Sequence, residues 1–242
     1  MPVSCVIPAR MRSSRFPGKP LVKINGEEMI LHTMRRALLA GCFDSIYCAT
    51  DSEIIASLVR SHGYEAVMTG VHVTGSDRVM EAAEKLGLDL VVNLQGDEPL
   101  VDLDLLRGVS EAIQAEPNSW VTASSILDPN DAYNRNVVKV RVEENYASAF
   151  QREVPLDKIM YWNCHRGIYA YGKEARKEFS CLPPSNQEKE HSIEPLRILG
   201  LRPIKVIFSD KESVSVDVPA DLLKVEHIIQ RNKTLDGIFI DV

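Results

Sequence analysis

The sequence predicts an α/β fold with a mostly parallel central sheet and a smaller α+β lobe. Two observations carry that expectation. Up to residue 96, short apolar runs alternate with segments whose apolar residues recur at helical spacing, the order that builds βαβ units. Beyond Gly96 the strand-like runs follow one another closely, with fewer helices between them.

Each element has its own signal. Val3 to Ile7 is a short buried strand, and the stretch PARMRSSRFPGKP after it is broken by Pro8, Pro17, Gly18 and Pro20. EEMILHTMRRALLAG is an amphipathic helix with Gly41 as its stop. SIYCAT is a strand, SEIIASLVRSHG a helix starting near Ser52, and EAVM a third short strand. SDRVMEAAEKLG is a helix capped by Gly75 or Ser76, and LDLVVNLQ is a strand apolar enough to be covered on both faces.

DLDLLRGVSEAIQA is a further helix, and SWVTASSIL, NVVKVRVEE and YASAFQRE are successive strands. HRGIYAYG is another strand, KEARKEF helical, and HSIEPLRILG a helix. PIKVIFSD and SVSVDV are late strands before the closing helix PADLLKVEHIIQRN, with Pro219 suited to its first turn. No repeat, low-complexity linker or compositional boundary divides the chain. Residues 1–242 therefore read as one domain, its smaller lobe within roughly 130–200.

The bulk numbers narrow the function. With 45% hydrophobic and 26% charged residues the chain has an ordinary globular composition. A net charge of −6 and a pI near 5.6 speak against a nucleic-acid partner, which selects broad basic surfaces. Five cysteines, an odd number with no CxxC pair, fit the reduced thiols of a cytoplasmic protein. No apolar run reaches the ~20 residues of a membrane span, and the opening lacks a signal-peptide pattern.

Against that acidic background, Arg10, Arg12, Arg15 and Lys19 crowd into one strand-end loop. Guanidinium groups grip phosphate oxygens in pairs and a lysine adds a point charge, so the loop suits a small, highly charged anion. Two further segments follow strands: GDEP and VDVPAD. In doubly wound sheets ligands sit beyond the carboxyl ends of the strands, so Asp97 and Asp217 could face the cations across one cleft. Paired carboxylates there suit Mg2+, which takes one or two of them together with substrate phosphates. Each residue also has a plainer reading. The arginines read as a solvated face, and Asp217 as a cap of the helix that follows. Neither GxxxxGK[ST] nor GxGxxG is present.

The combination IPARMRSSRFPGKPL, VNLQGDEPL, RGIYAYG and SVDVPADL resembles the bacterial cytidylyltransferases that activate 3-deoxy-manno-octulosonate (Kdo), along nearly the whole chain. That resemblance implies a Rossmann-like nucleotidyltransferase fold, a homodimer, CTP as donor, Mg2+ as cofactor and a small sugar acid as acceptor. It assigns Arg10, Arg15 and Lys19 to the triphosphate, with Arg10 and Lys19 stabilising the departing pyrophosphate. Pro8 and Ala9 would wall the pyrimidine, Ser76 and Arg78 lie on the cytidine side, and Gln95 serves both substrates. Asp97 and Asp217 would hold the metal. Arg152, as carboxylate partner, joins His165, Tyr169 and Glu194 around the acceptor. The role of the tail RNKTLDGIFIDV stays open.

The acceptor region departs from the family pattern. Gln151 replaces a serine, Pro195 a glutamine, and His191 stands near a common glutamate, while the connection from Arg152 to His165 is short. These changes expect an altered acceptor preference: Kdo, an amino-Kdo, or another small anion such as a phosphonate. A non-catalytic nucleotide-binding module is the alternative of another class.

Overall fold

A computed structural model of the chain describes residues 1–12, 16–211 and 214–236. In chain order it contains β1 (Val3–Ala9), a two-residue hairpin of β2 (Lys23–Ile24) and β3 (Glu27–Glu28), α1 (Met29–Ala40), β4 (Ser45–Thr50), α2 (Glu53–Ser61) and β5 (Glu65–Met68). There follow α3 (Gly75–Lys85), β6 (Leu90–Leu94), α4 (Leu103–Ala115), β7 (Trp120–Ser125), β8 (Lys139–Glu143), β9 (Tyr146–Gln151) and β10 (Trp162–Gly172). The chain continues through α5 (Lys173–Cys181), α6 (Asn186–His191), β11 (Ile204–Ser209) and α7 (Pro219–Asp236).

Nine strands form one sheet in the order β5-β4-β1-β6-β10-β7-β11-β9-β8. The first four run parallel, and the central pair, β1 and β6, is buried along its whole length, as expected of parallel strands covered on both faces. β10 then enters antiparallel between β6 and β7, and β9 and β8 continue antiparallel beyond β11. The sheet is thus parallel in its first half and mixed in its second, where α+β connectivity takes over.

Helices cover both faces. Ile30 and Met34 of α1, Ile55 and Val59 of α2, and Leu105 and Val109 of α4 pack on one side with alternate residues of β1 and β6. Val79 and Ala83 of α3 and Phe179 of α5 pack on the other, around Trp120 and Tyr171. Gly41 ends α1 with a φ of 65°, the left-handed stop its sequence announced.

Three expectations need correction. HSIEPLRILG is not one helix: α6 stops at His191, Ser192 turns left-handed (φ 51°), and a 3-10 turn spans Glu194–Arg197. Pro195 has no N–H to continue an α-helix, and the tighter turn absorbs it. SVSVDV is not a strand over residues 214–218, which are tied to the β6 end by the Val216 N–H donating to Asp97 O at 2.9 Å. The cap of α3 is Thr74, which accepts the Asp77 N–H, rather than Gly75 or Ser76. Among the described residues no helix is long and apolar enough to cross a membrane.

Candidate active site

β1 has β4 on one side and β6 on the other, so strand order reverses at β1, where a crevice opens beyond the strand ends. A cavity of about 620 Å3 occupies that place. Pro8, Ala9, Arg10, Lys19 and Asp97 line it from the β1 and β6 ends, with Arg152, His165, Tyr169 and Glu194 from the second half of the chain.

The opening loop folds back on itself. Gly18, in the left-handed region at φ 72°, donates its N–H to Met11 O at 3.0 Å and returns Lys19 to the mouth of β1. The Lys19 ammonium donates to the Asp97 carboxylate and to Val216 O at 2.9 Å. Cation, first acid and the segment carrying the second acid therefore meet. Arg10 is exposed and ties its guanidinium to Val73 O at 2.8 Å across the cavity edge. Arg15 lies outside the described residues.

The floor requires two glycines. A Cβ on Gly75 would lie 2.8 Å from the Gln95 side-chain oxygen, and one on Gly96 would lie 2.8 Å from Pro8 O. Gln95 donates to Asn93 Oδ1 at 3.1 Å, and Asn93 in turn donates to Ser76 Oγ at 3.1 Å. Ser76 is fully buried and donates to the Glu194 carboxylate, which also accepts the Gly75 N–H at 3.1 Å. Glu194 thus closes the N-terminus of α3, and burial raises its pKa above the usual range. Arg78 lines the cavity but is otherwise buried, donating to Thr69 Oγ1 at 2.5 Å and lying 3.2 Å from Asp51.

At the other end, a register shift in β10 between Arg166 and Tyr169 brings the His165 and Tyr169 rings to 5.6 Å. Thr122 Oγ1 donates to Ile168 O at 2.9 Å, so the 2.9 Å contact with His165 needs the imidazole Nε2–H as donor. Burial and the cations Arg166 and Arg152 push the His165 pKa down to about 3 and keep the ring neutral. Behind the wall, Arg197 links Asp77 (2.8 Å) to the buried Glu188 (2.8 Å) and stacks on Phe179 at 3.9 Å.

A cytidylyltransferase family model matches residues 4–204. The chain belongs to the cytidylyltransferase family. It is 38% identical over 239 residues to 3-deoxy-manno-octulosonate cytidylyltransferase of Zea mays, covering 93% of this chain and 80% of the relative. It is 39% identical over 247 residues to 8-amino-3,8-dideoxy-manno-octulosonate cytidylyltransferase of Shewanella amazonensis, covering 94% and 98%. Among solved structures it is similar to a CMP:2-keto-3-deoxy-manno-octonic acid synthetase complexed with CTP. That similarity has a TM-score of 0.88 and 32% identity, and covers 96% of this chain and all of the other. This agreement extends the α/β nucleotidyltransferase expectation to the tertiary level.

In this cytidylyltransferase the fold gathers Pro8, Ala9, Arg10, Lys19, Arg78, Gln95, Asp97, Arg152, His165, Tyr169 and Glu194 on one cavity. Ser76 lies behind that wall, joined to it through Glu194. Asp217 follows Val216, whose N–H donates to Asp97 O, and both aspartates add to the rise in the pKa of the buried Glu98. Asp221, in the first turn of the closing helix, reaches back to accept the N–H groups of Asp217 and Val218 at 2.9 and 3.0 Å and so fixes the backbone of the segment that carries Asp217. His191 and Pro195, the residues on which the altered acceptor preference was argued, do not line the cavity; Glu188, Lys189, Ser192 and Ile193 do.

Sequence reasoning missed Glu98, whose pKa is pushed up to about 7, chiefly by burial. It also missed the Asp77–Arg197–Glu188 chain, whose Asp77 end lies 120 positions from Arg197. The cysteines play no visible chemical part: burial pushes the Cys48 thiol up to about 12.

Proposed function

We propose that the protein transfers CMP from CTP to an octulosonate sugar acid, Kdo or its 8-amino analogue, with release of pyrophosphate. The observation that carries this reading is the single cavity that holds the cationic β1 loop and Asp97 at one end and His165, Tyr169 and Arg152 at the other. One end suits a triphosphate, the other a polyhydroxylated acid.

The anomeric hydroxyl of the acceptor attacks the α-phosphorus in line, and the bond to the β-phosphate oxygen breaks. Arg10 and Lys19 neutralise the charge that builds on pyrophosphate, while Pro8 and Ala9 bound the base. Gln95, pinned between Gly75 and Gly167, sits where donor and acceptor meet. Positioning and fixed charge carry the rate, and no covalent enzyme intermediate is needed.

The residues fit Mg2+. Asp97 and Asp217 are hard oxygen donors whose charges converge on Glu98, and the described residues hold no larger cluster of ligating side chains. Held by these two carboxylates, the ion would lower the pKa of the attacking hydroxyl and offset phosphate charge.

A cytoplasmic homodimer completes the reading. Leu156, Met160 and Tyr161 stand exposed on one 3-10 turn, an apolar surface a second copy would cover, and sedimentation tests it.

The experiment is pyrophosphate release with CTP, Mg2+ and an acceptor panel of Kdo, 8-amino-Kdo, other sugar acids and phosphonates. Turnover with an octulosonate, stopped by chelation and restored by Mg2+, is expected. Turnover only with a phosphonate would reject the acceptor class. Tight CTP binding without turnover of any acceptor would turn the protein into a nucleotide-binding module.

A further inference from the structure

Arg152 and Lys189 line the acceptor end of the cavity from the second half of the chain, and the buried Lys139 sits against Arg152 behind that wall; two of these three cations are already committed to the fold. Arg152 Nε donates to His191 O at 2.8 Å and its Nη2 to Ser192 O at 2.8 Å. Its Nη1 donates to Arg135 O at 2.9 Å and Asn136 O at 3.4 Å. The guanidinium thus clamps the α6 exit to the segment before β8. Lys139 is fully buried, and its ammonium donates to Asn134 O, Val137 O and Arg152 O at 2.8, 2.9 and 2.7 Å. Lys139 has all three of its N–H groups engaged, and Arg152 keeps at most one Nη2–H for a substrate carboxylate, too few for a two-pronged grip.

The third is Lys189. It lines the cavity from α6, is exposed, and its ammonium has no hydrogen-bond or ion-pair partner among the described residues. Its backbone is firmly held. Ser185 and Glu188 form a reciprocal capping box, and Glu188, one residue before it, is locked to Arg197. Each nearby cavity carboxylate is occupied: Glu188 and Asp77 by Arg197, Glu194 by Ser76 and the Gly75 N–H. A fixed turn therefore leaves an uncommitted positive charge on the wall of the cavity, beside Ser192, which Arg152 holds.

We infer that Lys189, rather than Arg152, anchors the carboxylate of the acceptor; this rests on the sugar-acid reading above. An ammonium on a flexible stem takes a carboxylate as a point charge and gives no such gain to an uncharged sugar. Lys189 is then a determinant of acid over neutral acceptors.

The test compares wild type, K189M and K189R in two assays. The first is pyrophosphate release with octulosonate varied at saturating CTP and Mg2+, then with CTP varied. The second is calorimetric binding of a non-reactive sugar acid lacking the anomeric hydroxyl, and of its methyl ester. K189M is expected to raise the acceptor KM and the Kd of the acid by about ten- to a hundredfold, the worth of one charge-assisted hydrogen bond. The CTP KM stays put, K189R recovers most of the loss, and the ester binds all three equally weakly. An acceptor KM and acid Kd within twofold of wild type would overturn the inference, as would a rise in the CTP KM alone. If the wild type turns over no octulosonate, the substrate reading fails on its own, and acid-against-ester binding still decides Lys189.

Discussion

Lys19 donates to both the Asp97 carboxylate and, at 2.9 Å, the Val216 carbonyl, contacts that span 78 and 197 positions of the chain. One ammonium thereby fastens the first acid to the segment that carries the second. In the resting protein it neutralises the carboxylate that the proposed reaction needs for Mg2+, so ligand entry must exchange this pair.

Asp97→Asn should therefore damage chemistry more than folding. Pyrophosphate release is expected to fall at least about a hundredfold, as for loss of an electrostatic group at a reacting centre. The melting temperature should stay near that of wild type, because the carboxylate is partly exposed. Unchanged turnover would remove Asp97 from the site.

Gly96→Ala tests the cavity floor. Its Cβ would meet Pro8 O at 2.8 Å, a backbone atom that yields only if the ends of β1 and β6 part. Loss of CTP affinity together with lower stability is expected in calorimetry and thermal melting; a silent substitution would show that this contact is slack.

Arg197→Met leaves Asp77 and the buried Glu188 without their shared cation. Breaking such a buried network costs about 3–5 kcal/mol. Urea unfolding should show that loss, and Arg152→Met a smaller one of about 2 kcal/mol from its unpaired carbonyls.

His165 gives the pH prediction. Thr122, Phe150 and Tyr169 surround the ring, with Arg152 and Arg166 as the charged groups that act on it. Its folded pKa of about 3 lies below the unfolded value of 6.5, so the unfolded chain binds the extra proton first. This contribution is complete above pH 6.5 and is lost as pH falls toward 3, by about 2 kcal/mol between pH 6.5 and 5. His165→Gln, which can still donate to Thr122, should remove that part of the acid sensitivity in unfolding titrations. An unaltered pH profile would mean the ring is already charged in the native state.

Much of this was legible in the residues. Apolar runs marked β1 and β6 because strands covered on both faces must be apolar throughout, and helical spacing marked α1 to α4 because one face alone is buried. The cation cluster and the two strand-end aspartates were visible because charge at the ends of apolar strands is a local pattern. Where local cues competed, they misled. The helical reading across residues 191–200 met Pro195, and residues 214–218 of SVSVDV bury Val216 in a small core without joining a ladder.

The sequence by itself determined the alternation of strands and helices and the types of charge that end up near one another. Tertiary structure alone decided which of those charges are available. Arg152 and Arg197 look equally free in one dimension, yet backbone carbonyls claim the first and the carboxylates of Asp77 and the buried Glu188 the second, while Lys189 is left open to the cavity. Availability depends on partners that folding brings in from elsewhere in the chain, 39 and 40 positions away for Arg152 with His191 and Ser192 and 120 for Arg197 with Asp77, and no local pattern encodes such pairings.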